Sequence, residues 1–183
     1  ASFPPETPVV IDEAYIAFGG MSAASLVMRH DNLLVTGTFS KSMSLAGLRL
    51  GYALGCEKII AALVTVKDSF NSYPVDILAQ ELGKAALADT CWYRETTECI
   101  IATRKRLDRG LSDQGFRVLP SSANFVFASK EGIPGKELYA RLKEEGILVR
   151  HFDRDGIRDF IRITVGTDEE IGLLLDAAKR LFG

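Results

Sequence analysis

Short runs of aliphatic and β-branched residues alternate with helical patterns in the first part of the chain. Apolar runs at residues 8–11, 33–36 and 50–54 are typical of buried strands, because each is brief and is bounded by polar or glycine positions. Helical spacing at residues 23–29 places a helix between the first two strands. Strand, helix and strand in this order form a crossover unit. The pattern therefore predicts a sheet that is at least partly parallel.

Three further helical patterns follow, at residues 57–67, 75–87 and 91–111. Residues 68–74 interrupt the first two and are rich in aromatic side chains, which predicts a loop. The third pattern is long and is charged on one side. A helix of this kind often connects two lobes of a protein, so we expect a domain boundary within it.

The spacing of apolar residues changes after Gly115 and predicts a second α/β lobe. Strands are expected at residues 116–119, 124–127, 147–149 and 160–163, with a helix at residues 137–145. Thr167 and Glu170 have the spacing of a capping box, which predicts a final helix that runs to residue 181. We therefore divide the chain into residues 1–103 and residues 104–183.

Charge and cysteine content narrow the class of partner. The chain has 22 Lys and Arg residues against 24 Asp and Glu residues, so no bulk attraction to nucleic acid or to a membrane surface is expected. No run approaches the roughly 20 apolar residues that span a bilayer, and the first residues lack the features of a signal peptide. The three cysteines form no metal-binding pattern. These features predict a cytoplasmic protein that binds small molecules and no metal.

Polar side chains follow the first two predicted strands at the edge of the sheet. Asp12 and Tyr15 come after the first strand, Lys41 follows the second, and Arg49 precedes the third. Ligands of open α/β sheets bind at the carboxyl ends of the strands. A lysine amine, a carboxylate and a cationic group are what an electron-sink cofactor with a phosphate requires. The combination predicts a cofactor site at this edge.

Each of these residues also has an ordinary explanation when it is taken alone. Lys41 is then a solvated loop lysine, Asp12 caps the helix that follows it, and Arg49 is a surface charge. Arg150 and Arg162 lie on alternating strands, where a solvent-facing polar residue is equally expected. The combination favours a site, and the individual alternatives stay open.

Four motifs resemble histidinol-phosphate aminotransferases, which are fold-type I enzymes dependent on pyridoxal 5'-phosphate (PLP). The motifs are Asp-Glu-Ala-Tyr at residues 12–15, Thr-Phe-Ser-Lys at residues 38–41, Leu-Ala-Gly-Leu-Arg-Leu-Gly at residues 45–51 and Ile-Arg-Ile-Thr-Val-Gly-Thr at residues 161–167. Their order and spacing match from Val9 to the last helix, and correspond to the second half of a family member. The resemblance implies an α/β fold with part of a large domain, built on a mostly parallel sheet, and a smaller C-terminal α/β domain.

The resemblance also implies a set of cofactor contacts. Lys41 would form the Schiff base with PLP and move the proton, Asp12 would bind the pyridinium nitrogen, and Tyr15 would donate to the ring oxygen. The cofactor phosphate would be held by the side chains of Thr38, Ser40 and Arg49. Residues 1–103 would then be the second half of the PLP-binding domain. A homodimer is expected, with the loop at residues 68–74 near the partner subunit.

The implied substrate contacts lie in the second lobe. Arg162 matches the arginine that binds the carboxylate of the amino-acid donor. Arg150 matches the one that meets the substrate phosphate or the distal carboxylate of glutamate, and Asn124 also falls in a family motif, although it could simply finish a turn. The implied reaction transfers an amino group between glutamate and imidazole-acetol phosphate, giving histidinol phosphate in histidine biosynthesis. Alternatives are an aromatic aminotransferase, an amino-acid phosphate decarboxylase, or an inactive fragment of such an enzyme.

Overall fold

The computed structural model describes residues 3–183, so Ala1 and Ser2 lie outside the described part. The chain divides into two compact units, Ala1–Thr96 and Thr97–Gly183. Each unit has a sheet of its own, with three strands in the first and four in the second. The boundary that the sequence predicts, between residues 103 and 104, lies in the same long helix as the observed division and stays a prediction.

The sheet of the first unit contains three strands: β1 (Val9–Asp12), β2 (Leu33–Thr38) and β3 (Gly51–Gly55). All three predicted strands are confirmed, with small differences at their ends. β1 and β2 are parallel, whereas β3 runs antiparallel to β2. The connection from β2 to β3 contains only one short 3₁₀ turn, Ala46–Leu48, and lacks the helix that usually returns a parallel strand. Among the residues that the structure describes, parallel strand pairing is therefore confined to β1 and β2.

The connection between β1 and β2 covers one side of this sheet. The helix predicted at residues 23–29 is present as a 3₁₀ helix, Ala24–Arg29, which follows a shorter one at Ile16–Phe18. Val27 on the second 3₁₀ helix packs against Leu33 and Val35 of the central strand. β2 is apolar along its first half, where Leu33, Leu34 and Val35 are all buried, as expected for a strand that is covered on both faces.

Two helices complete the first unit, α1 (Glu57–Phe70) and α2 (Ile77–Ala88). The loop predicted at residues 68–74 was placed too early, because α1 runs on to Phe70 and ends where the Asn71 amide donates to the Lys67 carbonyl. α2 begins after Asp76, whose carboxylate accepts from the Ala79 amide at 3.0 Å. No residue of α1 is buried. Large apolar side chains of this region are instead exposed, namely Leu63, Val64, Val66, Phe70, Tyr73, Val75, Ile77, Leu78, Leu82 and Leu87.

The second unit is an antiparallel sheet packed with helices. Helix α3 (Thr90–Asp113) leads into it. The remaining elements are β4 (Phe116–Leu119), β5 (Phe125–Lys130), α4 (Gly135–Glu144), β6 (Arg150–His151), β7 (Ile161–Thr164) and α5 (Asp168–Phe182). The strand order is β4-β5-β7-β6. Leu107, Leu138 and Ile161 are among the fully buried residues that join helices and sheet in one core.

The residues at the helix ends explain one prediction that is confirmed and one that is wrong. The capping box is confirmed, since the Thr167 hydroxyl accepts from the Glu170 amide and the Glu170 carboxylate accepts from the Thr167 amide. The strand predicted at residues 147–149 is wrong, because pairing with β7 begins only at Arg150. Gly146, at φ 77°, turns the chain, and the Ile147 amide donates to the Leu142 carbonyl. That backbone belongs to the end of α4 and is not available to the sheet.

Two further observations concern the residues that the structure describes. No helix within residues 3–183 is both long and apolar enough to cross a bilayer. Cys56, Cys91 and Cys99 are all free thiols.

Candidate active site

Lys41 and Tyr15 come together at the carboxyl ends of the two parallel strands. Asp12 is the last residue of β1 and pairs in register with Thr36 of β2, so the segments that leave the two strands start side by side. Tyr15 follows β1 and Lys41 follows β2. The Lys41 Nζ atom lies 5.4 Å from the centre of the Tyr15 ring, which is a cation–π contact. The predicted convergence at this edge is thus present for these two side chains.

The Asp12 carboxylate is exposed at the end of β1 and shapes the turn that carries Tyr15. Its Oδ1 atom accepts a hydrogen bond from the Ala14 amide at 3.0 Å. This bond closes a local turn and is not the helix cap that the sequence left open, because Tyr15 precedes the 3₁₀ helix Ile16–Phe18 and that helix has no side-chain cap. A carboxylate has about four lone-pair sites, so one short-range hydrogen bond leaves capacity for a ligand. The turn also restricts where the carboxylate can point.

Thr38 is the last residue of β2, and Ser40 follows it in a loop that is closed against the start of β3. The Thr38 hydroxyl accepts from the Ser40 amide at 3.1 Å and donates to the Leu50 carbonyl at 3.4 Å. The Phe39 amide donates to the same carbonyl at 3.0 Å. These hydrogen bonds fix the backbone just before Lys41. Lys41 is therefore held on an ordered loop, although its own side chain is exposed.

Arg49 occupies a strained backbone position in the same loop. Its φ is 52°, in the left-handed region, and Ser44 has a φ of 56°. A non-glycine residue in this region costs about 1–2 kcal/mol, and such strain is concentrated at functional sites. The Arg49 guanidinium donates to the Ala46 carbonyl at 3.0 Å. Arg49 is thus exposed beside the strand ends, with its side chain folded onto its own loop.

Glu13 is a buried member of this site to which the sequence assigned no role. Its side chain is only 7% exposed and accepts from the Ser22 hydroxyl at 2.8 Å and from the Ala23 amide at 2.6 Å. Glu13 lies inside the Asp-Glu-Ala-Tyr motif, and this position in the sequence could have marked it as a residue of the site. Because its partners are about ten positions further along, its burial could not be derived from local spacing.

A cavity of about 150 Å³ in the first unit is lined by Glu13, Thr38, Phe39, Tyr52 and Tyr93, among others. The Tyr52 ring covers Gly37 of β2, and a Cβ atom at this strand position would require the Tyr52 ring to move. Burial raises the pKa of the Tyr52 phenol, and the charges of Glu13 and Tyr93 act in the same direction. The cavity is thus lined by a buried carboxylate and by phenols.

The second unit pairs two arginines on neighbouring strands. Arg150 of β6 is directly opposite Arg162 of β7. Both guanidinium groups contact the Phe152 ring. The Cζ atom lies 5.6 Å from the centre of this ring in Arg150 and 5.8 Å from it in Arg162. The Arg162 Cζ atom also lies 5.3 Å from the centre of the Phe125 ring. These contacts hold two like charges close together on aromatic faces.

This arginine pair has the properties of an anion-binding site. Arg106, Arg141 and Arg180 each form an ion pair with a carboxylate. The Arg162 Nε atom, in contrast, is buried and has no hydrogen-bond partner among the described residues. A buried donor without an acceptor is unfavourable, and a guanidinium binds planar or tetrahedral anions through parallel hydrogen bonds. Carboxylate and phosphate are therefore the ligands that suit Arg150 and Arg162.

Asn124 is fixed next to the arginine strand through its backbone. Its carbonyl accepts from the Val165 amide at 2.9 Å, just beyond the end of β7. The turn before it is closed by the Ser121 hydroxyl, which accepts from the Ala123 amide at 3.1 Å. Buried Arg104, which the sequence did not single out, donates to the Ala123 carbonyl at 2.6 Å. Burial lowers the pKa of Arg104, and Asp108 opposes this shift. The binding role of Asn124 stays a prediction.

Residues 5–177 match the family model of aminotransferase class I and II, and the chain belongs to this family. A histidinol-phosphate aminotransferase of Syntrophus aciditrophicus (strain SB) is 54% identical over 180 residues, which cover 98% of this chain and 50% of the relative. The chain thus spans about half the length of the curated relatives it matches.

Solved structures agree with the family and with its fold-type I architecture. A histidinol-phosphate aminotransferase from Sinorhizobium meliloti in complex with pyridoxal-5'-phosphate has a TM-score of 0.84 at 29% identity, and the match covers 98% of this chain and 50% of that one. A decarboxylase from Sulfurospirillum multivorans has a TM-score of 0.82 at 26% identity, with 96% and 53% covered. The scaffold is thus similar to those of proteins named for two different reactions.

Proposed function

We propose that the protein carrying this sequence is a PLP-dependent aminotransferase that moves an amino group between glutamate and imidazole-acetol phosphate, giving histidinol phosphate for histidine biosynthesis. The observation that carries the proposal is the placement of Lys41 against Tyr15 at the ends of β1 and β2. It is supported by 54% identity to a histidinol-phosphate aminotransferase across nearly the whole chain.

The donor groups of the first unit suit PLP. Asp12 would bind the ring nitrogen, Tyr15 the ring oxygen, and the Lys41 amine the aldehyde carbon. Thr38, Ser40 and Arg49 would bind the phosphate, the Arg49 guanidinium turning away from the Ala46 carbonyl to do so. When bound, PLP supplies an electron sink for the pair released as the bond between the substrate α-carbon and its hydrogen breaks.

Lys41, Asp12 and Tyr15 would each have a different role in the reaction. The Lys41 Nζ atom would take the proton from the substrate α-carbon as a general base and would later give it back as a general acid. The Asp12 carboxylate would keep the ring nitrogen protonated. The Tyr15 ring would hold the Lys41 side chain in place until a ligand binds.

Arg150 and Arg162 would bind the anionic groups of the substrates. Arg162 takes the α-carboxylate, and Arg150 takes the phosphate of the imidazole compound or the distal carboxylate of glutamate. The support is the buried Nε atom of Arg162, which has no acceptor within residues 3–183. A ligand carboxylate would satisfy it. Asn124, next to the end of β7, completes this substrate-binding set in our proposal.

We further propose that the protein is a cytoplasmic homodimer. The exposed aromatic residues between α1 and α2 support a partner subunit in this region, since the Phe70 and Tyr73 side chains are each 80% exposed. Exposed aromatic groups of this size are enriched at protein interfaces. The residues predicted to lie near the partner, 68–74, include both.

A decarboxylase of an amino-acid phosphate is the second candidate, because the Sulfurospirillum multivorans decarboxylase has nearly the same TM-score as the Sinorhizobium meliloti aminotransferase. Adding histidinol phosphate to the PLP-loaded protein separates the two. If the protein is an aminotransferase, histidinol phosphate should donate its amino group to the cofactor and change the absorbance of the cofactor. Adding glutamate should cause the same change. Release of carbon dioxide from an amino-acid phosphate, without an absorbance change on adding histidinol phosphate, would favour the decarboxylase. No response to any of these substrates would indicate an inactive fragment.

A further inference from the structure

We propose that Glu13 is a positioning residue that sets the placement of Asp12 and Tyr15 by holding the segment that follows them. The inference rests on the proposed function for the roles of Asp12 and Tyr15. Glu13 lies between these two residues in the chain, is only 7% exposed, and lines the cavity of about 150 Å³. Because Ser22 and Ala23 already bind its two carboxylate oxygens, the role that we assign to it acts through its neighbours.

Glu13 is fixed through both its backbone and its side chain. Its amide donates to the Thr36 carbonyl of β2 at 2.8 Å, and its own carbonyl accepts from the Ile16 amide at 3.1 Å. The two side-chain oxygens bind different groups, with Oε2 accepting from the Ser22 hydroxyl and Oε1 from the Ala23 amide. One residue thus connects the end of β1, the central strand and residues 22–23.

These bonds close the segment of residues 13–23 into a loop. The loop contains two adjacent glycines, Gly19 and Gly20, and Gly19 has a φ of 122°. Glycines give a segment conformational freedom that must be removed by other contacts. The paired hydrogen bonds to the Glu13 carboxylate connect the far end of this loop to the strand end, in addition to the packing of Ala23 against the cluster of Val27, Leu33 and Val35.

The two hydrogen bonds to the Glu13 carboxylate, from Ser22 and Ala23, are called the clamp here. Loss of this clamp should displace Asp12 and Tyr15. A carboxylate that is buried without its partners is strongly disfavoured, so Glu13 stays inside only while Ser22 and Ala23 are in place. If the side chain is removed, residues 22–23 are released and the turn containing Tyr15 loses its anchor. A misplacement of about 1 Å at such a site can cost about a hundredfold in rate.

The test compares Glu13→Ala with Glu13→Gln and with Asp76→Ala. Glutamine can still accept from the Ala23 amide, and its amide group can donate to the Ser22 oxygen. Asp76 is the matched control, because its carboxylate likewise accepts a backbone hydrogen bond in the first unit, from Ala79, but lies away from the site in sequence and role. Two quantities are measured in the chain: hydrogen exchange at the Ala23 and Ala79 amides, and the dissociation constant for PLP.

We expect Glu13→Ala to speed exchange at Ala23 but not at Ala79, and Asp76→Ala to do the reverse. We also expect Glu13→Ala to weaken PLP binding about tenfold or more, while Glu13→Gln and Asp76→Ala stay within about threefold of the unaltered chain. Unchanged exchange at Ala23, or an Asp76→Ala variant that binds PLP as weakly as Glu13→Ala, would overturn the proposal.

The design separates this inference from the proposed function. If the unaltered chain binds no PLP, the proposed function fails in this chain, and exchange at Ala23 in the ligand-free chain still decides whether the clamp exists. If PLP binds and Glu13→Ala changes exchange at Ala23 without changing the dissociation constant, Glu13 stabilises the loop only and is not a positioning residue.

Discussion

The two units differ in where their apolar side chains lie. The second unit has one continuous core that includes Leu107 of α3, Leu138 of α4 and Ile171 of α5. The core cluster of the first unit consists of Val27, Leu33 and Val35 with a few partly buried neighbours, and α1 contributes no buried residue. The predicted lysine and its neighbours thus lie in the unit with the smaller core, whereas Arg150 and Arg162 lie in the unit with the larger one.

The largest expected effect is a core substitution in the second unit. Leu138 is 0% exposed, so Leu138→Ala should lower the free energy of unfolding by about 2–5 kcal/mol. Leu63→Ala is the matched change on α1, where the side chain is 40% exposed, and it should cost less than about 1 kcal/mol. Urea unfolding measures both. Equal losses would show that the face of α1 is buried in solution and would remove the contrast between the units.

A substitution at Arg162 tests whether Arg150 and Arg162 form an anion-binding site. Arg162→Gln should raise the dissociation constant for inorganic phosphate or glutamate about tenfold or more, because hydrogen bonds to charged groups contribute about 1.5–3 kcal/mol. The control is Arg180→Gln, since Arg180 is an exposed arginine already paired with Glu145. Titration followed by NMR gives the constants. Similar losses in both variants would mean that the anions respond to net charge and not to the Arg150 and Arg162 pair.

The helix caps of the two units provide a smaller test. Thr167→Ala removes the capping box of α5 and should lower the free energy of unfolding by about 1 kcal/mol. Asp76→Ala removes the cap of α2, a helix with few buried residues, so the loss should appear as lower helix content with little change in the main unfolding transition. Circular dichroism combined with urea unfolding separates these outcomes. A large change in the main transition for Asp76→Ala would contradict the assignment of stability to the second unit.

The smallest expected effect concerns pH and Tyr52. Its pKa is raised above the usual 10.0, chiefly by burial, so folding favours the neutral phenol. The stabilisation is complete below the pKa of an unfolded tyrosine and is lost as pH rises through the higher folded value. Thermal melts should therefore show a loss of stability in alkali that Tyr52→Phe reduces and that Tyr73→Phe, at a more exposed position, leaves in place. An equal response of both variants would contradict the raised pKa of the Tyr52 phenol.

Features set by neighbouring residues were predicted well from the sequence. The capping box at Thr167 and Glu170 depends on residues three positions apart, and the apolar run of β2 reflects burial on a central strand. The end of α1 was missed, because nothing between residues 67 and 70 forbids a helix. The strand at residues 147–149 was wrong, since the end of α4 uses that backbone.

The parts of the site that escaped prediction depend on contacts between distant residues. Burial of Glu13 requires Ser22 and Ala23 to fold back onto it. The pairing of Arg150 with Arg162 depends on the register of β6 and β7, which no local pattern specifies. The approach of Lys41 to Tyr15 was predicted from the parallel strands, because the carboxyl ends of such strands share an edge. The individual roles of these residues stay predictions.

Reduction with borohydride in the presence of PLP, followed by peptide mass analysis, tests the central claim most directly. We expect a stable cofactor adduct on Lys41, absent from Lys41→Arg, with other exposed lysines such as Lys67 and Lys84 unmodified under the same conditions. No adduct with excess cofactor, or an adduct spread evenly over surface lysines, would contradict the assignment of Lys41 as the residue that holds PLP in this chain.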